Sequence, residues 1–274
     1  MDARATKNAS VEKINDGWRL GIAAGDSSGY RDAQLDDYAG LRRSRFPHHP
    51  LTSLPLRGLR RMSLRARTSS LSAAGTWGFG LWNDPFGLSL GFGGSPFRLP
   101  ALPNAVWFFY ASPQNYLSFK SPSTAGFDTP SKSIRATQPS AQGGVANGFM
   151  AQTFRSPKFH PLLMPAGLVF PFSRKVTRNL LGRVIDEDSS ALSVDTTQWH
   201  RYNLEWSPQG VAWDVDEARV FESPVSPNPP LGLIIWIDNQ YAAFTPEGKI
   251  AFGVLESGEE WLEVENIVGV TQLE

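Results

Sequence analysis

Between Gln198 and Asn239 the chain reads QWHRYNLEWSPQGVAWDVDEARVFESPVSPNPPLGLIIWIDN, an order of residues that few folds can absorb. Trp199, Tyr202, Leu204 and Trp206 form an apolar run with partial period-two alternation. Ser207-Pro208-Gln209-Gly210 interrupts it with turn residues, Val211 to Val215 resumes it, and Asp216-Glu217 reverses the chain again. Extended chains place alternate side chains on opposite faces, so the segment reads as a β-hairpin followed by a third strand. Behind Pro229-Pro230, Leu231 to Asp238 is an unbroken apolar run, the pattern of a strand covered on both faces.

The remainder of the 274 residues extends this reading. Short apolar runs alternate with Gly, Pro, Asp and Ser clusters, and 17 Phe, nine Trp, 25 Gly and 21 Pro suit many short strands joined by tight turns. Residues 1–16 are polar and are expected to be a flexible N-terminus, leaving 17–274 as a single all-β domain. Tyr30 to Leu41 holds Asp32, Asp36 and Asp37 around Leu35 and Tyr38, as in a strand with a polar outer face. Leu54 to Thr68 reads as a long strand with Leu56, Leu59, Met62 and Leu64 inward and its basic residues toward solvent. Pro100 to Phe119 reads as two apolar strands broken at Ser112-Pro113-Gln114-Asn115, and Lys120 to Gly148 as mostly loop. Within an insertion at 157–188, Val176, Leu180, Leu181, Val184 and Ile185 recur at helical spacing behind Ser173 as N-cap, so one short amphipathic helix is expected.

Bulk chemistry excludes several functions. Net charge is zero, so nothing draws the chain generally toward nucleic acid or an anionic membrane. Without cysteine there is no disulfide scaffold, thiolate nucleophile or zinc-thiolate site. The four histidines show no metal-ligand or triad spacing, and no phosphate-binding loop is present; no metal and no cofactor are expected. No run approaches the roughly 20 apolar residues that span a bilayer. The N-terminus has no apolar leader region, so a cytoplasmic protein is expected as written, or a secreted one if a leader has been removed.

The Gln198–Asn239 segment resembles the concanavalin A-like lectin and glucanase superfamily, most closely glycoside hydrolase family sixteen, where W-H-x-Y-x-L-E-W-x-P-x-x-I-x-W-x-V-D is common. Gly75 to Gly87, GTWGFGLWNDPFG, is similar in spacing and aromatic content to that family's tryptophan-rich strand. Trp261 to Val270 resembles its closing strand, with Leu262, Val264 and Ile267 set against Glu263, Glu265 and Asn266. The resemblance implies a two-sheet antiparallel jelly-roll sandwich, with the insertion at 157–188 as a lid over its cleft.

It also implies a catalytic strand that is not there. Family sixteen hydrolysis uses E-x-D-x-E after the tryptophan-rich strand, its three carboxylates sharing one face of the sheet. The corresponding stretch here, Asn104 to Tyr110, reads NAVWFFY and holds no carboxylate, so ordinary retaining hydrolysis at that position lacks both nucleophile and proton donor. Asp214 with Asp216, and Glu263 with Glu265, share faces but read as solvated outer positions, and His200 reads as structural. The candidates for proton transfer are Asp84, in an aromatic-rich turn, and Tyr110 and Tyr116.

Aromatics carry the remaining signal. Trp77, Phe79, Trp82, Trp107, Phe109, Phe149 and Trp236, with Asn239, are the candidate ligand-binding residues of a cleft. Sugar sites need dense polar partners, and few are evident on these strands. The expected partner is therefore a hydrophobic or amphipathic small molecule, either bound only or also transformed by conformational or acid/base control. The alternative is a carbohydrate-active protein, either a hydrolase with displaced acids or a lectin-like module taking an oligosaccharide.

Overall fold

The computed structural model describes residues 1–37, 59–84, 102–119, 145–157 and 173–273. Two antiparallel seven-stranded sheets pack face to face in a jelly-roll sandwich. The first sheet runs in the order β1 (Asp2–Ala5), β4 (Asp32–Asp36), β13 (Gly232–Asp238), β6 (Thr76–Trp82), β7 (Ala105–Ala111), β8 (Gly148–Arg155) and β9 (Asp186–Ala191). The second runs β12 (Ala218–Ser223), β11 (Gly210–Val215), β10 (His200–Ser207), β5 (Leu59–Thr68), β16 (Glu260–Leu273), β3 (Gly17–Ile22) and β2 (Ala9–Ile14). A separate hairpin pairs β14 (Gln240–Phe244) with β15 (Ile250–Val254), and one helix, α1, spans Arg174–Val184.

The hairpin that opened the reading pairs Tyr202 with Val215 through Ser207 with Gly210. At the following reversal Asp216 and Glu217 both take left-handed backbone, φ 49° and 71°, the combination whose twist matches paired strands. His200 is structural: its Nδ1 lies 2.5 Å from Asp216 Oδ2, while Asp216 Oδ1 accepts the Arg201 N–H at 2.9 Å. Tyr202, Leu204 and Trp206 turn inward with Leu20, Met62, Leu64 and Val264 from the same sheet, against Phe79, Phe108, Leu233 and Ile235 from the other.

The arginines of β5 face outward in ion pairs, Arg67 Nε with Glu263 Oε2 at 2.7 Å and Arg65 with Glu265. Asp214 pairs with Arg219 at 2.5 Å. In β16 a register shift follows Glu265, and Asn266 has φ 52°; this bulge advances the alternation by one, so Ile267 still packs on the core after Leu262 and Val264.

Several expectations need correction. The N-terminus is not an unstructured tail: β1 pairs with β4 and β2 with β3, each placing polar residues at a sheet edge. The second apolar run of 100–119 is not a full strand, Tyr116 making only a bridge to Ala243. Asp186–Asp188 belong to the edge strand β9 rather than to an insertion, because their backbone completes the ladder of β8. Val176 is exposed, and the buried residues of α1 are Thr177, Arg178 and Val184, so its buried face is not the apolar stripe that the spacing suggested. Ser173 caps the helix as expected, accepting from Val176 N. The apolar residues expected to form the lid, Leu162, Leu163, Leu168, Val169 and Phe172, lie outside the described residues, as does Leu56.

Candidate functional site

Alternation along β6 divides T-W-G-F-G-L-W between two faces. Trp77, Phe79 and Leu81 enter the inter-sheet core, leaving Thr76, Gly78, Gly80 and Trp82 on the opposite face. The two glycines make room for neighbouring indoles. A Cβ at Gly78 would stand 2.7 Å from Cη2 of Trp236, and one at Gly80 would stand 2.4 Å from Cβ of Trp107. On β7 the same alternation buries Val106, Phe108 and Tyr110 and turns Trp107 and Phe109 to this face. Trp107 stacks on Phe109 at 5.2 Å and 20°, and both lie 5.5 Å from Trp236. β7 thus supplies an aromatic wall to this face.

The wall bounds a cavity of about 170 Å³, also lined by Tyr30, Asp32, Gln34, Thr76 and Asp238. Asp32 and Gln34 come from β4, a strand the sequence reading did not assign to a site. On β4 the pattern Asp32-Ala33-Gln34-Leu35-Asp36 sends Ala33 and Leu35 into the core and the three polar side chains to the cleft face. Asp36 pairs with Arg4 Nε at 3.2 Å and accepts from Gln34 Nε2 at 2.8 Å. Asp238, at the end of β13, is in register with Asp32.

The acids have raised pKa values for stated reasons. Burial, then the neighbouring Asp238 and Asp36, push Asp32 well above the carboxylate range. Burial raises Asp238 to about 7, against hydrogen bonds from Thr76 and Gln240 that pull it down. The Tyr30 phenol is driven up by burial and by both aspartates. The arrangement pairs apolar surface with hydrogen-bonding groups that include carboxyls whose neutral form burial favours. Among the described residues no three His, Asp or Glu side chains converge so as to hold a metal ion.

Of the residues named from sequence, Trp82, Trp107, Phe109 and Trp236 line this cleft. Trp77, Phe79 and Phe149 do not; they lie in the inter-sheet core because they occupy the other phase of their strands, Trp77 stacking on Phe149 at 5.0 Å. Tyr110 is in the same core, stacked on Trp77 at 5.6 Å, where no ligand reaches it. Asn239 is wholly buried and structural: its Oδ1 accepts the Arg31 N–H at 2.8 Å, and its Nδ2 donates to the Gly29 and Leu255 carbonyls.

Asp84 is buried at the end of β6 with φ 41°, a turn conformation, and does not line the cleft. Tyr116 lines a neighbouring apolar cavity of about 230 Å³ with Leu117, Phe119, Phe244, Ile250 and Phe252, and Arg178 lies over its ring at 5.6 Å. Leu181 and Ile185 beside α1 pack with Phe119 and Phe154, so the described end of the insertion covers the cleft side of the first sheet. The polar residues of β4 at i, i+2 and i+4, Asp32, Gln34 and Asp36, were visible in the sequence. Their destination was not, because a polar strand face looks the same whether it meets solvent or lines a cleft.

No family model matches the sequence, and no curated protein matches it. Among solved structures, the chain aligns with a glycoside hydrolase family 16 endo-glucanase from Bacteroides ovatus at 10% identity, covering 95% of this chain and 85% of that one, with a TM-score of 0.41. A β-glucanase from Bacillus licheniformis aligns at 11% identity over 97% and 83%, with a TM-score of 0.40. A sialidase aligns at 7% identity and a TM-score of 0.41, this chain spanning 17% of its length. Likenesses of this size bear on neither ligand nor catalysis; those rest on the cleft itself. No described helix is long and apolar enough to cross a membrane.

Proposed function

We propose that the cleft of the first sheet binds an oligosaccharide. The observation that carries this reading is the meeting, in one cavity, of an aromatic wall with a row of acid, amide and hydroxyl groups: Trp82, Trp107, Phe109 and Trp236 beside Tyr30, Asp32, Gln34, Thr76 and Asp238. A pyranose has C–H faces that stack on rings and equatorial hydroxyls that need acceptors and donors. Each hydroxyl left unpaired on burial costs about 1–3 kcal/mol. The sequence reading preferred an apolar ligand because polar partners were scarce on the aromatic strands; β4 and the end of β13 supply them. The resemblance of Thr197–Asn239 to family sixteen points the same way.

A second reading, a hydrophobic or amphipathic small molecule, is favoured by the adjoining apolar cavity beneath β14 and β15. Tryptophan fluorescence titration separates the two. Laminari- and cello-oligosaccharides are expected to give saturable changes that Trp236→Ala weakens. A response confined to isoprenoid or polyketide-like compounds would overturn the saccharide reading.

A further inference from the structure

Asp32 and Asp238 occupy one cleft but differ in what surrounds them. They are register partners on adjacent antiparallel strands and face the same side. That relation sets their Cβ atoms about 4.5–5.5 Å apart. Asp32 is 2% exposed, and its Oδ2 has no hydrogen-bond partner among the described residues. A buried carboxyl oxygen in that state has no structural explanation, since burying an unsatisfied acceptor is unfavourable. Asp238 is satisfied on one side only: Thr76 N at 3.1 Å, Thr76 Oγ1 at 2.9 Å and Gln240 N at 3.1 Å all donate to its Oδ1. Burial works against the charge of both, but three donors offset it at Asp238, whereas nothing does so at the bare oxygen of Asp32, which is the more strongly held as a neutral acid.

We infer that Asp32 and Asp238 are the general acid and the nucleophile of a retaining glycoside hydrolase, with Thr76 as a positioning residue. The inference rests on the saccharide reading above. Register partners on one face bring both carboxyl groups to the same side of the sheet at neighbouring positions, within reach of the roughly 5–5.5 Å between carboxyl groups that retention requires, and two carboxyls in different surroundings are how acid and nucleophile are told apart. In the first step Asp238 Oδ2 attacks the anomeric carbon, the glycosidic C–O bond breaks, and the Asp32 proton goes to the departing oxygen. In the second, water attacks the same carbon and gives a proton to Asp32. The ester to Asp238 breaks and the sugar leaves with a new hydroxyl. These acids stand on the adjacent strands β4 and β13, on one side of the strand pair β6–β7 that carries the aromatic wall.

The test uses the full chain with 2,4-dinitrophenyl 2-deoxy-2-fluoro-β-cellobioside and the corresponding β-laminaribioside as traps. Intact mass and peptide mapping are expected to find one glycosyl adduct, on Asp238. For the unfluorinated dinitrophenyl glycosides, Asp32→Asn should leave the first-turnover burst within about threefold, because that leaving group needs no proton. Cleavage of cello- or laminari-oligosaccharides should fall at least 100-fold, the scale of general-acid assistance. Asp238→Asn should lose both. A merely structural Asp32 would lower both reactions together, and thermal melts of each variant check that it folds. Saccharide binding by fluorescence without an adduct, or an adduct on another carboxylate, would overturn the acid pair and leave the binding reading standing. Absence of saccharide binding would overturn both.

Discussion

Replacing Asp238 by asparagine removes a titrating site while keeping an oxygen to accept from Thr76 N, Thr76 Oγ1 and Gln240 N. The wild-type carboxyl rises from an ordinary 3.8 in the open chain to about 7 in the fold, chiefly because it is buried. The folded state therefore holds the proton over a range where the unfolded state has released it. Stability from this group is complete below about pH 4 and is lost progressively as pH rises to about 7. At 1.36 kcal/mol per tenfold step the full loss is on the order of 2–4 kcal/mol.

Among the described residues no basic side chain offsets it. The Arg31 guanidinium is turned to the Gly25, Asp26 and Leu255 carbonyls and the Ser257 hydroxyl, while Asp32 and Tyr30 face the carboxyl from the cleft. Asp238→Asn should thus match wild type near pH 4 and exceed it by about 2–4 kcal/mol at pH 8, a rise in Tm of at least roughly 4 °C. Differential scanning calorimetry across that range measures it. A variant no more stable than wild type at pH 8, or a gap as large at pH 4 as at pH 8, would refute the argument.

The reassignment of aromatic residues between faces is open to direct tests. Phe79→Ala, which empties a site packed by Phe108 and Tyr202, should cost about 3–5 kcal/mol in denaturant unfolding, while any folded fraction binds saccharide normally. Trp107→Ala should do the reverse, weakening saccharide affinity by roughly 0.5–1.5 kcal/mol of ring contact as read by calorimetric titration. Tyr110→Phe, in the core, should leave turnover and its pH profile unchanged, which separates it from the cleft groups. Ser173→Ala removes the helix cap and should cost about 1 kcal/mol, seen as faster amide exchange in the first turn of α1.

Much of this architecture follows from local rules. The Ser207–Gly210 turn, the Asp216-Glu217 reversal, the doubly covered strand ending at Asp238 and the cap at Ser173 each arise from neighbouring residues, so local chemistry was enough to read them. So was the absence of carboxylates from Asn104 to Tyr110. Alternation also split the aromatics of β6 and β7 into two sets, but it could not say which set was core. That choice depends on which face meets the second sheet, and it moved Trp77, Phe79, Tyr110 and Phe149 inward while leaving Trp82, Trp107 and Phe109 to the cleft. Asp32 and Asp238 are 206 residues apart and become partners only because β4 and β13 pair antiparallel in one register. A shift of one residue in that register would put either aspartate on the other face. Periodicity within a segment fixes what its two faces carry; long-range strand pairing decides where each face looks and which distant side chain stands beside it.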